Sequence, residues 1–567
     1  MKKYQRYLVT SALPYANGPL HFGHLAGVYL PADIYTRHRR KQGLEVLHIC
    51  GSDEHGVAIM IAAEKAGLTY AEYVKFWSEQ HQALFEEYGI HFDFFGRTSQ
   101  NYHHQEVIQW FNQLNTAGLI IRKKDQQLYC IDDQRFLPDR YVEGKCYQCG
   151  YLQARGDECP QCGEWIDPIR LIAPRSKMSG SSRIEIRETE QYYLDLVKLQ
   201  PIFQKWFETK HHWRKVVNGF VKGLLETGVV NRAITRDLDW GIDVPLQQAQ
   251  GKKLYVWFEA PIGYVSYTKE YFRRKNLEVF WHFNQWWNSS ETQIVHFIGK
   301  DNIIFHAFIW PCMILGTKFV HLPTEIPANQ FLNLDGHQFS KSSGCYIDAK
   351  EAVETFGMDA LRFYLNSIIP EDSDSSFNWD RFASTYADLG NKVGNFVHRI
   401  LTFIEKNWPE GLPGAAFHGL EDHSELKKIA FYRERMMMHF DQFRLSQAQS
   451  ECLLLSQAAN EYFHMEIPWK KVKQNPQATQ KILAISVIYL ACFGSFLEPF
   501  VPGIAKKIQY YFKGYLDELE IQAIYQGRFN EVISKFKNGF RAFQRAEILI
   551  PRIDPEIIEQ WKEKTRI

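Results

Sequence analysis

Four cysteines, Cys146, Cys149, Cys159 and Cys162, spaced C-x2-C-x9-C-x2-C, are the most specific chemical signal in the chain. Thiolates at that spacing suit a closed tetrahedral zinc site with no position open to a substrate, so the cluster reads as structural, with one ion per chain. The other six (Cys50, Cys130, Cys312, Cys345, Cys452, Cys492) are scattered singly, mostly in apolar runs, and read as small buried hydrophobes. Two histidines, His21 and His24, stand between a β-rich run and a helical stretch. The start of such a helix offers unpaired N–H groups and a positive dipole end, so it can receive phosphate. Three residues apart, the imidazoles share a helical face and can donate to the same phosphate oxygens. Gly23 lets a ligand approach the backbone. The alternative is a surface pair with no ligand. Far downstream, Lys341 lies in Ser340-Lys341-Ser342-Ser343-Gly344. A lysine on such a loop can close over a triphosphate and neutralise developing charge, although similar runs occur in ordinary loops.

Taken together, the two stretches resemble a known pair. Pro14-Tyr-Ala-Asn-Gly-Pro-Leu-His21-Phe-Gly23-His24 is similar to the HIGH signature of class I aminoacyl-tRNA synthetases, in the Ala-Leu-Pro-Tyr-x-Asn-Gly form of the methionine-specific family. His337-Gln338-Phe339-Ser340-Lys341-Ser342-Ser343-Gly344 resembles the KMSKS loop, with Gln338 where the loop's first lysine stands. The resemblance runs from Tyr7 to about Trp561. It implies a methionine--tRNA ligase that uses ATP with Mg2+ to activate L-methionine as methionyl-adenylate. The methionyl group would then pass to the 3′-terminal adenosine of tRNA(Met), initiator and elongator. No protein nucleophile is needed; His21, His24 and Lys341 would act by positioning and charge stabilisation.

The same resemblance implies further site residues. Asn17, Gly23, Gly299, Asp301 and Lys341 would meet ATP. Asp53, in Gly51-Ser-Asp53-Glu-His-Gly56, would pair with the substrate ammonium; its alternative role is to cap the next helix. Ala12, Leu13, Tyr15, Trp257, Ala260, Pro261, Tyr264 and His306 would line a narrow slot for the unbranched thioether, with Phe305 and Trp310 behind. The place of Asn302 is aliphatic in some members, and no role is implied for its amide. Asn395 and Arg399, four apart on one helical face, and Trp469 align with the residues that read the CAU anticodon. Some members carry a second metal knuckle; the matching places here are Cys130, Asp133, Ser176 and Ser179, which implies one zinc rather than two. Rival readings are another class I synthetase or a non-catalytic tRNA-binding paralogue. The insertion is too short for the editing domain of the valine, isoleucine and leucine enzymes. Four protein ligands leave the metal no place for a cysteine substrate.

These groups need a scaffold, and the apolar rhythm supplies one. Tyr7–Thr10, a helical stretch over about 20–40, and Glu45–Cys50 alternate strand with helix, which predicts a parallel doubly wound sheet of Rossmann type. The rhythm breaks after about Asn115 and resumes near Leu254–Trp257, then Gln293–Ile298 and a helix from about Ile303 to Leu315. The expected division is a first catalytic half over 1–116, a connective insertion with the zinc knuckle over 117–250, and a second half over 251–329. A stem-contact region with the KMSKS-like loop would fill 330–384, and an α-helical anticodon-binding domain 385–567. Asp335-Gly336 marks a hairpin tip. Arg37-His-Arg-Arg-Lys41 reads as a solvated helix end that complements the dipole.

With 567 residues the chain exceeds one core and predicts several domains. Apolar residues at 45% argue against disorder. A net charge of +1 means that a polyanionic partner must meet a local basic face. The apolar stretch Ile482–Leu497 falls short of a membrane span and predicts a buried core helix. With no signal-like start, a cytoplasmic protein without membrane attachment is expected. A chain ending at Ile567 leaves no room for an appended dimerising module, so a monomer is expected.

Overall fold

The computed structural model describes residues 4–156, 159–162, 166–339 and 346–566. Five parallel strands form the central sheet: β1 (Arg6–Ser11), β2 (Glu45–Ser52), β3 (Phe94–Arg97), β4 (Thr292–Gly299) and β5 (Ala328–Asn329). Their spatial order is β5-β4-β1-β2-β3, with every neighbouring pair parallel. Helices cover both faces, so the strands are buried almost throughout and read as near-continuous apolar runs. The strand order reverses between β1 and β4, although 280 residues separate Ser11 from Thr292. An open sheet of this kind binds ligands at that switch point, beyond the carboxyl ends of its strands.

The insertion is built on two long antiparallel strands, Ile120–Cys130 and Ile184–Leu194, paired along their full lengths. Between them lies a small sheet of Val142–Lys145, Ala154–Arg155 and Ile172–Ser176. The segment expected to resume the sheet at Leu254–Trp257 divides instead: Lys252–Leu254 is a strand of a separate hairpin, and a helical turn starts at Val256. The Asp335-Gly336 hairpin forms as expected. Leu334 pairs with His337, and both tip residues take the positive φ that such a turn requires (45° and 87°).

From Trp379 onward the described chain is mainly helical, with a long irregular connection between the helices Phe529–Lys535 and Pro555–Lys564. Helix Pro476–Phe496 is its core: every residue from Ile482 to Phe496 is buried, and its most apolar stretch is 89% covered by protein.

The basic run at the end of helix Leu30–Lys41 is not the solvated end that its composition suggested. His38 is fully buried, stacks on Phe440 (3.7 Å, 6°) and bonds the Tyr525 hydroxyl at 2.8 Å. Arg39 lies over Tyr7 and Tyr35 and donates to Asp441 at 2.7 Å. Lys41 pairs with Glu498. Just before the run, Asp33 binds the buried Arg362, which also donates to the carbonyls of Pro499 and Phe500. The run therefore joins the sheet to the helical region. The partners of His38 and Arg39 lie 487 and 402 residues away, beyond the reach of any local pattern.

Candidate active site

A cleft of about 480 Å3 opens at the switch point. Ala12, Leu13 and Tyr15 reach it from the end of β1, Asp53 from β2, and Gly299 and Asp301 from β4. His21, Gly23, His24, Trp257, Ala260, Pro261, Tyr264, Phe305 and His306 complete the expected lining. Asn17 departs from expectation. It is exposed and absent from the lining, and its carbonyl accepts from the Tyr73 hydroxyl at 3.2 Å. Trp310 lies behind the wall, fully buried and stacked on Trp110 (4.9 Å). Lys341 and its neighbours over 340–345 lie outside the described residues. The last described residue before them, Phe339, lines the cleft.

The two histidines meet in a way that helical spacing did not foresee. His21 is the extended N-cap residue (φ −129°, ψ 173°), and its Nδ1 accepts from the Gly23 N–H at 3.1 Å. His24 Nδ1 accepts in return from the His21 N–H at 3.1 Å. This reciprocal cap is the histidine version of a capping box. It uses both Nδ1 atoms as acceptors, so each neutral ring carries its proton on Nε2. The ring centroids are 3.8 Å apart with planes tilted by 34°, which gives two adjacent donors at a helix start. Gly23 is required here for a further reason: a Cβ would stand 2.9 Å from the His21 ring.

Asp53 does not cap the next helix; Gly56 holds that position, with no side-chain cap bond. The Asp53 backbone bonds Pro14 and Ala16, tying its loop to the HIGH-like segment. Its Oδ1 is buried with no hydrogen-bond partner among the described residues. Burial, then the nearby Glu259 and Glu54 carboxylates, push its carboxyl well above the usual range. Such a group is an acid waiting for a cation. Beside it, His55 bonds the buried Glu259 at 2.7 Å and clamps the Asp53 loop to the segment bearing Trp257 and Ala260. Burial raises Glu259 to about 7 and lowers His55 to about 4.

Across the slot, Tyr264 bonds His306 at 2.8 Å, and Phe305 packs edge-on against Trp257. Asn302 contributes its carbonyl, which accepts from His306 Nδ1 at 3.2 Å. Sequence reasoning missed one wall: Arg140, Leu238 and Trp240 of the insertion line the cleft. Trp240 donates to the Glu54 carbonyl at 2.7 Å and packs on His55. The Leu-Asp-Trp run inside a loop-rich segment was the only available signal.

The four knuckle cysteines come together, with all Sγ atoms within 4.8 Å of one another. Tetrahedral Zn–S bonds near 2.3 Å place sulfurs just under 4 Å apart, and Cys146–Cys162 and Cys149–Cys159 stand at 4.0 and 3.6 Å. The donor set therefore fits zinc. At the second knuckle's place, the Asp133 carboxylate accepts instead from Ser176, Ser179 and Cys130. Five of the six single cysteines are buried, and Cys345 lies outside the described residues.

In the helical region, Asn395 and Arg399 share an exposed face of helix Asn395–Asn407. Arg399 lies over Phe463 (4.8 Å) and donates to Asn460 at 3.0 Å, while Trp469 packs on the same Phe463. Trp469 remains 42% exposed. It follows Ile467, a β-branched residue held at φ +40°, a strained conformation of the kind that clusters at functional sites. Among the described residues, π-helical turns occur at Leu25–Tyr29, Phe305–Ile309 and Gly390–Gly394. They follow His24, carry His306 and precede Asn395, so each of the three candidate helices bears such a turn.

A split parallel sheet with a histidine-capped helix at its switch point is the framework of a class I aminoacyl-tRNA synthetase. The family model described as tRNA synthetases class I (M) matches residues 7–401, and that for the anticodon binding domain of methionyl tRNA ligase matches residues 412–566. The methionine--tRNA ligase of Rubrobacter xylanophilus is 39% identical over 535 residues, covering 91% of each chain. That of Thermococcus kodakarensis is 41% identical over 516 residues, covering 89% of this chain and 69% of its own. The Mycobacterium tuberculosis methionyl-tRNA synthetase structure with methionyl-adenylate shares the fold, with a TM-score of 0.77 at 23% identity, over 97% of this chain and 100% of that one. The chain belongs to the methionyl-tRNA synthetase family.

Proposed function

We propose that this chain is a methionine--tRNA ligase. Methionine's carboxylate attacks the α-phosphate of ATP to give methionyl-adenylate and pyrophosphate, and the methionyl group then passes to the 3′-terminal adenosine of tRNA(Met). The observation that carries this reading is the buried Asp53 carboxylate, its Oδ1 without a partner among the described residues, beside an aromatic slot and in one cleft with two Nε2–H donors. An amino acid supplies what Asp53 lacks, a cation, and the unbranched apolar tail that suits the slot.

In this reading Asp53 holds the ammonium, and Leu13, Trp257, Pro261, Tyr264 and His306 surround the thioether. Ala12, Tyr15 and Ala260 shape the mouth, and Gly299 and Asp301 flank the nucleoside. His21 and His24 donate Nε2–H bonds to phosphate oxygens and gain strength as charge builds on them. Lys341 adds an ammonium from the loop that follows Phe339. Magnesium accompanies ATP and neutralises phosphate charge. The four cysteines hold one structural zinc, which steadies the insertion and through it the wall formed by Arg140 and Trp240. Residues 385–567 receive the anticodon, with Asn395 and Arg399 reading bases and Trp469 stacking on one. ATP–pyrophosphate exchange with a panel of amino acids tests the reading: exchange should depend on methionine. Exchange with another amino acid alone, or with none, would overturn it.

A further inference from the structure

Behind the slot, four side chains and one carbonyl form a single hydrogen-bonded file. His306 gives its Nδ1–H to the Asn302 carbonyl at 3.2 Å, so its Nε2 is the acceptor for the Tyr264 hydroxyl at 2.8 Å. The Tyr264 oxygen is bonded in turn to the Thr10 hydroxyl. Thr10 Oγ1 lies 2.6 Å from His296 Nδ1. If His296 carries its proton on Nδ1, every hydrogen in the file points toward the Asn302 carbonyl. The one group then left over is the bare lone pair of His296 Nε2, which is buried with no partner among the described residues. The opposite tautomer would bury an unpaired N–H, the rarer and less tolerable defect.

Thr10 and His296 are register partners across β1 and β4, the two strands at the switch point. Neither has any exposure, and neither lines the cleft. The Tyr264 ring stacks on His296 (5.2 Å, 21°), which fixes the rings as well as their protons. Burial holds both histidines neutral, with His306 lowered to about 4, so the file carries orientation without charge.

We propose that Thr10 and His296 are positioning residues for side-chain specificity, which fix the Tyr264 hydroxyl from beneath the slot before any substrate enters. The inference rests on the reading that Tyr264 and His306 receive methionine's side chain. A thioether differs from a methylene in polarity far more than in size, so a slot that prefers sulfur needs polar groups whose directions are set in advance. A hydroxyl free to rotate would distinguish the two poorly.

The test is ATP–pyrophosphate exchange with methionine and with norleucine, its methylene isostere. T10V, which keeps the shape and removes the hydroxyl, should lower the methionine-to-norleucine ratio of kcat/KM by roughly 10-fold. The loss should appear in the methionine KM, with the KM for ATP unchanged, and T10S should retain the ratio. His296→Asn, which keeps an N–H near the Nδ1 place, should also retain it, and His296→Leu should lose it; that pair decides the matter if T10V does not fold. An unchanged ratio in both T10V and His296→Leu, or an equal loss in T10S, would overturn the inference. Absence of methionine-dependent exchange in the unaltered protein would overturn the underlying reading, and this inference with it.

Discussion

The ring of Phe339 stacks on the imidazole of His21, with centroids 5.1 Å apart and planes 13° from parallel. Phe339 directly follows the strand His337–Gln338, which pairs with Leu332–Leu334, and Lys341 comes two residues later in the sequence. The stack therefore holds Phe339, the last described residue before Lys341, against the histidine-capped helix. Replacing Phe339 by Ala should lower kcat for exchange by about 10-fold, because a stacked aromatic pair contributes about 0.5–1.5 kcal/mol and here orients the loop. Unchanged kinetics in F339A would detach the loop from His21.

In the proposed function the two imidazoles serve as Nε2–H donors to phosphate, so H21A and H24A should each cost about 10² to 10³ in kcat with little change in methionine KM. Gln places its amide near Nε2, so H24Q should recover part of the loss. Pre-steady-state exchange kinetics measure both; a defect confined to methionine KM would contradict the assignment.

Asp53 gives a pH prediction with a definite sign. Its carboxyl is raised in the folded protein, chiefly by burial, so the ligand-free fold favours the protonated form. Methionine binding needs the ionised form, and methionine KM should therefore rise as pH falls through that raised value. An acid raised on folding costs stability once pH exceeds its unfolded pKa. D53N should thus bind methionine poorly at every pH yet be more stable than the unaltered protein at pH 7, by about 1–3 kcal/mol. Thermal melts without ligand, with KM measured from pH 5 to 8, check both; a destabilised D53N would contradict a buried acid whose Oδ1 has no partner among the described residues.

C159S should bring zinc from one per chain to none by elemental analysis, with new proteolytic cuts between Val142 and Ser176. Because Arg140 and Trp240 belong to the same insertion and line the cleft, catalytic efficiency should fall mainly through KM. Full zinc content in C159S would refute the four-thiolate site.

R399A and W469A should each lower kcat/KM for tRNA charging by about 10- to 100-fold, the range expected for one stacked or hydrogen-bonded base. Exchange, which needs no tRNA, reports whether the catalytic domain is intact. Charging at the original rate would remove both residues from anticodon recognition.

Much of the scaffold was legible because its signals are local. Tyr7–Thr10 and Gln293–Ile298 are short β-rich runs, and Asp335-Gly336 demands its turn. Cys146 to Cys162 carries its ligand spacing in 17 residues. What escaped depends on distant partners. Arg39 resembled a solvated helix-end charge until Asp441 stood opposite it, and Trp240 gave no hint that it would close the cleft. The histidine pair was found, but spacing suggested a shared helical face where the chain makes a reciprocal cap. Asn17, drawn in by its motif, is exposed and is not among the residues that line the cleft.

A crystal structure with a non-hydrolysable methionyl-adenylate analogue tests the site most directly. The ammonium should lie on the order of 3 Å from an Asp53 oxygen, the thioether between Trp257 and His306, and the phosphate against Nε2 of His21 and His24. An analogue bound with its ammonium away from Asp53, or its phosphate away from both imidazoles, would contradict the account.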